Sequence, residues 1–148
     1  EQYTSSKGDF GYDLNWHVKN VVIGSIRNWS KVVLEWNLAS DAEFKPFTKG
    51  GCSICKGALT IADDTITRNV SYYIIAHASK FVPPGSVRIG SNLTGAVQNV
   101  AFKTPNGRIV LIVQNGGQST ELNIKFRSKT AKLTLPAASV GTLVWKRK

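Results

Sequence analysis

The stretch Lys31–Leu38 reads KVVLEWNL, and it decides the fold class that the sequence predicts. It is short, β-branched and apolar, without clean alternation between apolar and polar residues. This composition is typical of a strand that is buried on both faces in a parallel sheet. Such a strand cannot satisfy its backbone edges alone, and it needs neighbouring strands and helices to cover its faces. We therefore expect it to belong to a larger α/β sheet.

Helical patterns lie on both sides of this strand. In the segment 13–29, apolar residues recur at three- and four-residue steps, and Asp13 is the expected N-cap because its side chain can accept from amides of the first turn. A polar loop, 39–57, follows the strand. The segment 70–82 then returns to helical spacing and ends at Pro83, which cannot donate to the preceding turn. The order helix–strand–loop–helix predicts an α/β first half.

The second half changes to a two-residue period. In Glu121–Arg127, three apolar residues alternate with polar ones, which indicates a strand with one buried face. Similar short runs, separated by turn residues, are Ser86–Ile89, Val97–Thr104, Arg108–Gln114, Ala131–Leu135 and Thr142–Lys146. Six strands at this spacing predict a small antiparallel β-sandwich.

Charge also divides the chain at Pro83. The 148 residues carry a net charge of +10: residues 1–82 have nine Lys or Arg against eight Asp or Glu, and residues 83–148 have ten against Glu121 alone. The +9 sandwich could contact an acidic partner, but no recognition helix or RNA-binding signature accompanies the charge, so we expect no nucleic-acid function. No apolar run approaches the roughly 18 residues of a membrane span, so we expect no transmembrane segment.

Two further features concern the origin of the chain. It begins with Glu1 and contains no Met, so we expect it to be a piece of a longer protein.

Cys52 and Cys55 lie in the predicted loop, far in sequence from both His residues, and a zinc site would need two more ligands. The pair is therefore either a small-loop disulfide or two free thiols. We expect an exported protein, secreted, periplasmic or at the cell surface.

Several motifs resemble the C-terminal part of one enzyme family. They are EQYT (1–4), DLNWH (13–17), RNW (27–29), LEWNL (34–38), GGC (50–52) and YYIIAHASKFVPPGS (72–86). They resemble glycoside hydrolase family 30, which includes lysosomal-type glucosylceramidases and bacterial and fungal β-1,6-glucanases. The resemblance implies a retaining hydrolase with a (β/α)8 TIM barrel and an attached β-sandwich. Residues 1–82 would hold the end of strand 7, helix 7, strand 8 and helix 8, and residues 83–148 the β-sandwich domain.

The resemblance also implies roles for individual residues. Glu1 falls at the position of the catalytic nucleophile, whereas none of the nine carboxylates matches the family's general acid/base. The chain alone is therefore expected to be inactive. Trp36 corresponds to a tryptophan that lies against a sugar in the active site; the alternative for Trp36 is ordinary core packing. Asn37 either donates to a sugar hydroxyl or ties the loop to the barrel rim. Glu35 should point to the opposite face, as a buried and paired group.

The loop 41–57 bears on the substrate. Residues 50–55 read GGCSIC, where the glucosylceramidase subgroup shows Gly-Gly-Pro-Asn-Trp. This departure favours a β-glucan or β-glucoside over a lipid-linked substrate such as glucosylceramide.

We expect structural roles for His17 and His77, and no metal or organic cofactor. The alternative hypothesis is a non-catalytic module that binds carbohydrate or polyanions through its basic sandwich.

Overall fold

The structure is a computed structural model and describes residues 2–146. Strands and helices are mixed in the first part of the chain. Its elements are β1 (Gln2–Ser5), α1 (Phe10–His17), a π-helical segment (Val18–Gly24), α2 (Ser25–Arg27), β2 (Glu35–Trp36), β3 (Ala39–Ser40), β4 (Cys55–Lys56), β5 (Leu59–Ala62), β6 (Thr65–Arg68) and α3 (Val70–Ser79). None of the helices in this described part is long and apolar enough to cross a membrane.

The strand expected at Lys31–Leu38 is parallel to a neighbour, as predicted, but it is much shorter. The prediction that it is buried on both faces is wrong for this chain, because Leu34 and Trp36 are exposed on one of them. β2 pairs in parallel with β1, with Gln2 opposite Glu35 and Tyr3 opposite Trp36. β4 lies antiparallel on the other side of β1, so the sheet order is β2-β1-β4. Only two residues of β2 pair with β1, and among the described strands none pairs with the outer edge of β2.

The first helix begins earlier than predicted, and the expected cap at Asp13 is wrong. Asp9 is the N-cap: its backbone is extended, with φ −87° and ψ 131°, and its side chain accepts from the Tyr12 amide at 2.7 Å. An extended cap residue is what allows a side-chain oxygen to reach the first-turn amides. Asp13 lies inside the first turn. The helical path then continues through the π-helical segment to Arg27.

The loop predicted at 39–57 is less irregular than expected. It contains β3 and β4, and the hairpin β5–β6 follows it. β3 pairs in parallel with β5, and β5 pairs antiparallel with β6. The helix predicted at 70–82 is confirmed, although α3 ends at Ser79. The sequence predicts a short extended piece at Ala58–Ala62, which β5 confirms; β6 was not predicted, because all four of its residues are exposed and leave no pattern of burial.

The sandwich is confirmed, with all six predicted strands. They are β7 (Val87–Ile89), β8 (Val97–Lys103), β9 (Arg108–Asn115), β10 (Thr120–Phe126), β11 (Lys129–Leu135) and β12 (Ser139–Lys146). Four form one sheet in the order β12-β9-β8-β7, and β10 and β11 form a second, two-stranded sheet. Every pairing within the two sheets is antiparallel.

Two buried clusters hold these elements together through β8 and β9. On one face, apolar residues pack between the two sheets: Val97, Ala101, Leu111, Val113 and Leu135. On the other face, the same strands pack against the helices: Val100, Phe102, Val110 and Ile112 meet Val18, Val22, Ile23, Val70 and Ile74. The four-stranded sheet is therefore covered on both faces. Its packing against the helices also fixes the position of β1 and β2, which are adjacent to those helices in the chain.

Candidate active site

The parallel pair β1–β2 has one covered face and one exposed apolar face. On the covered face, the Thr4 hydroxyl lies 2.7 Å from the Ser71 hydroxyl of α3, and Val33 packs against the helical core. On the other face, the exposed side chains are Tyr3 at 41%, Val32 at 64%, Leu34 at 55%, Trp36 at 50% and Leu38 at 78%. Four of these five residues are alternate positions of the single segment 32–38, and alternate residues of an extended chain share a face.

A buried pair lies directly behind Trp36. His17 Nδ1 and Glu35 Oε1 are 2.8 Å apart, and their side chains are 6% and 1% exposed. The prediction that Glu35 is buried and paired is confirmed, and the burial and pairing of His17 agree with the structural role predicted for it. The second carboxylate oxygen, Oε2, has no hydrogen-bond partner among the described residues. The pair joins α1 to β2 and so fixes the strand that ends in Trp36.

Asn37 lies where β2 turns into the following chain. The peptide bond between Trp36 and Asn37 is cis. The Asn37 carbonyl accepts from the Ala58 amide at 2.7 Å, whereas its side-chain Oδ1 is buried without a partner in the described chain. Gly57 fits beside it only because it has no side chain: a Cβ there would lie 2.7 Å from Oδ1 and 2.9 Å from Ala39.

A disulfide closes the turn beside β1. Cys52 and Cys55 are bonded, so of the two alternatives left by the sequence the disulfide is confirmed. Cys55 lies opposite Ser5 in the β1–β4 pair, and the Ser6 amide donates to the Ile54 carbonyl at 2.9 Å. The turn therefore adjoins the C-terminal end of β1.

Two of the three predicted site residues, Trp36 and Asn37, lie at the C-terminal end of β2. Trp36 and Asn37 follow each other at the end of β2, while Glu1 lies outside the described residues. Tyr3 was not predicted, because its place beside Trp36 depends on the register between two strands that are distant in sequence. The Asn15 amide side chain donates to the Ala138 carbonyl at 2.8 Å and thus joins α1 to the sandwich.

Two titratable groups near these elements have shifted pKa values. Burial raises the pKa of Asp13 above its ordinary value of 3.8; His17 acts in the opposite direction, while Asp9 and Glu35 raise it further. Burial lowers the pKa of His77 below 6.5. The His77 ring lies 3.0 Å from the Thr142 hydroxyl, in a contact between α3 and the sandwich, which agrees with a structural role.

Residues 85–143 match the β-sandwich domain of glycosyl hydrolase family 30. The chain carries the β-sandwich domain of this family. The resemblance predicted from the sequence is thus confirmed. The chain is 32% identical over 108 residues to an endo-1,6-β-D-glucanase of Aspergillus fumigatus, covering 68% of this chain and 22% of that protein. An endo-1,6-β-D-glucanase of Trichoderma harzianum is 32% identical over 100 residues, 63% of this chain and 20% of that one.

The chain is also similar to a lysosomal acid glucosylceramidase of Mus musculus, to which it is 27% identical over 117 residues, 76% of this chain and 23% of the relative. Among solved structures, an endo-β1,6-glucanase superposes with a TM-score of 0.83 at 33% identity, covering 91% of this chain and 31% of that one. The chain spans about a fifth of the length of the two fungal glucanases.

Proposed function

We propose that this chain is the C-terminal part of a retaining glycoside hydrolase that cleaves β-glucosidic linkages. Residues 1–82 form the last units of a (β/α)8 TIM barrel, namely the end of strand 7, helix 7, strand 8 and helix 8, and residues 83–148 form the attached sandwich. The observation that carries the proposal is the exposed apolar face of β1 and β2, which presents Tyr3, Leu34 and Trp36.

That face has the properties of the inner surface of a barrel. Its strands are parallel neighbours, and their opposite face is covered by helices, as in a (β/α) unit. An inner barrel face is apolar and is covered by the other strands of the closed sheet. The exposure of five large apolar side chains in this chain is accounted for by the barrel strands that precede it. The fit of 91% of the chain to a solved endo-β1,6-glucanase supports the same arrangement.

In this proposal Glu1 is the catalytic nucleophile. In the sequence resemblance Glu1 falls at the position of the family's nucleophile, and the strand that begins at the next residue, β1, lies parallel to the strand that carries Trp36. Retaining hydrolysis needs a second carboxyl group about 5–5.5 Å away, which protonates the leaving oxygen and later activates water. The upstream barrel supplies that group, and the isolated chain is inactive.

Trp36 and Asn37 form the sugar-binding part of the proposed site. The Trp36 indole is half exposed on the same face as Tyr3, so it can stack on the apolar C–H face of a glucosyl ring. The Asn37 side chain adjoins it; since its Oδ1 is buried beside Gly57, the group that can donate to a sugar hydroxyl is the amide Nδ2. Because the glucanase relatives are 32% identical and the glucosylceramidase of Mus musculus is 27% identical, we place the substrate among β-1,6-glucans and β-glucosides rather than glucosylceramide.

The disulfide supports an exported enzyme, secreted, periplasmic or at the cell surface, because such bonds persist in oxidising compartments. The substrate partner of such an enzyme is then an extracellular glucan.

The test uses the protein that contains this chain together with its barrel. Glu1→Gln removes the nucleophile with little change of shape, and Glu43→Gln, at an exposed carboxylate paired with Lys45, is the matched control. We expect the control to hydrolyse β-1,6-glucan at the parent rate and Glu1→Gln to show no measurable turnover. Proton NMR of the first product should show the β-anomer. Turnover by Glu1→Gln, or an α-anomer as first product, would contradict the proposal.

A further inference from the structure

An open cleft of about 470 Å³ lies between α1 and the sandwich. One wall is the side of α1 that carries Tyr12 and Trp16, and the other is the part of the sandwich around Gly116. None of the described residues that line the cleft belongs to β1 or β2. α1 turns a different side to that sheet, where His17 bonds the Glu35 carboxylate. The cleft is therefore separate from the candidate active site.

Two aromatic side chains form the helical wall of the cleft. Tyr12 is 66% exposed and Trp16 is 36% exposed, and residues four apart in a helix are neighbours on one face. The Trp16 indole makes an edge contact with the buried His17 ring, with 5.2 Å between the ring centroids, and this contact restrains the indole. Tyrosine and tryptophan combine an apolar ring face with a polar edge. Rings of this kind suit the apolar C–H faces of sugar rings.

Amide side chains supply the polar groups of the cleft. Asn15 Nδ2 donates to the Ala138 carbonyl at 2.8 Å and so ties the helix to the sandwich. Asn15 Oδ1 accepts from Gln114 Nε2 at 3.1 Å, which fixes the orientation of the Gln114 amide. Gln114 lines the cleft at 2% exposure, and its Oε1 has no hydrogen-bond partner among residues 2–146. A buried acceptor without a donor is costly, and a ligand that carries hydroxyl groups supplies the donor.

The charge of the cleft restricts the class of ligand. Lys19 is the one charged side chain among the described residues that line it. A divalent cation needs carboxylate ligands and a polyanion needs several cations, so this set suits neither. Asn20 adds a further amide: its Nδ2 donates to the Trp16 carbonyl at 2.9 Å, and no hydrogen bond within the described chain uses its Oδ1. Two aromatic rings with several amides indicate a neutral ligand that is rich in hydroxyl groups.

We infer that the cleft between α1 and the sandwich is a second carbohydrate-binding site, which holds a β-linked glucan chain on the surface of the enzyme. Tyr12 and Trp16 contact the faces of glucosyl rings, and the amide oxygens of Asn20 and Gln114 accept from sugar hydroxyls. A polymer held there is present at a raised effective concentration near the active site of the same molecule. The inference goes beyond the proposed function and rests on it only for the choice of glucan as the carbohydrate.

The experiment measures binding of a polymer by the complete enzyme. The Glu1→Gln background leaves the glucan uncut. In it, Tyr12→Ala removes a ring of the cleft, Tyr12→Phe keeps the ring, and Tyr73→Ala removes an exposed ring of α3 as the matched control. Retardation in native gels that contain soluble β-1,6-glucan gives the Kd. We expect Tyr12→Ala to raise the Kd by about 3- to 10-fold, the effect of losing one ring contact, and the other two variants to stay within about twofold of the background.

The outcomes separate this inference from the proposed function. Equal Kd values for Tyr12→Ala and Tyr73→Ala would overturn the inference; if Tyr12→Ala then also melts at a lower temperature, the upstream chain covers the ring. Tyr12-dependent retardation by dextran sulfate in place of the neutral glucan would overturn it too, because the ligand is then a polyanion. In these cases, hydrolysis of β-1,6-glucan by the enzyme with Glu1 intact leaves the proposed function standing. Tyr12-dependent binding by an enzyme that does not hydrolyse β-glucans would overturn the proposed function alone.

Discussion

Replacing His17 by alanine removes the one hydrogen-bond partner that the Glu35 carboxylate has among residues 2–146. Glu35 is 1% exposed on its side chain, its Oε1 bonds His17 at 2.8 Å, and its Oε2 has no partner in the described chain. In the His17→Ala variant both oxygens would be buried without a hydrogen bond. Because water screens neither group, we expect the free energy of unfolding to fall by about 3–5 kcal/mol, the usual cost of breaking a buried pair on one side.

That loss is a large fraction of the free energy of unfolding of a typical domain, which is about 5–15 kcal/mol. A loss of 1 kcal/mol lowers the melting temperature by about 2–4 °C for 150–250 residues and by less for a larger protein, so we expect the melting temperature of the complete enzyme to fall by a few degrees. The melting temperature of the complete enzyme is measured at neutral pH by monitoring thermal unfolding through tryptophan fluorescence.

A double variant supplies the control. His17→Leu with Glu35→Leu leaves no charged group buried, so it should be much closer to the parent than His17→Ala is. The two single leucine variants should then be strongly non-additive. A His17→Ala variant that loses less than about 1 kcal/mol, or leucine variants whose effects simply add, would refute this account of the pair.

Three further variants test local features. Asp9→Ala removes the N-cap hydrogen bond from the first turn and should lower the free energy of unfolding, measured by urea titration, by about 1 kcal/mol. An unchanged free energy of unfolding would show that Asp9 does not cap the helix. Gly57→Ala places a Cβ 2.7 Å from Asn37 Oδ1 and should cost about 1–3 kcal/mol by thermal unfolding; an unchanged melting temperature would contradict that packing. His77→Gln should reduce the loss of stability on acidification. Because burial lowers the pKa of His77 below 6.5 in the folded state, the unfolded chain binds the proton first, and stability is lost as pH falls through about 6.5. Equal slopes of stability against pH in parent and variant would argue against this.

The sandwich could be predicted from the sequence because its signals are local. Alternation in each short run marks one buried face, and turn residues separate the runs, so the strands are found without knowing their partners. The helix around Val70 is found in the same way. The buried state of Glu35 also follows from simple alternation with Trp36, and the structure confirms it.

The remaining features depend on information that the local sequence does not hold. The N-cap lies at Asp9 rather than Asp13, because the choice is made by the backbone angles of the entering chain and both residues are Asp. The strand around Glu35 is short because its length depends on partner strands. Tyr3 meets Trp36 only through a register that joins distant segments. The disulfide remained one of two alternatives because spacing alone does not fix the oxidation state of a pair of thiols.

Trapping the glycosyl-enzyme intermediate tests the central claim most directly. The complete enzyme is treated with a 2-deoxy-2-fluoro-β-glucoside carrying a good leaving group, digested with a protease and analysed by mass spectrometry. The account predicts one added fluoroglucosyl group on the peptide that contains Glu1, Gln2 and Tyr3, and no addition in the Glu1→Gln variant. A label on another carboxylate, or continued turnover without any label, would contradict it.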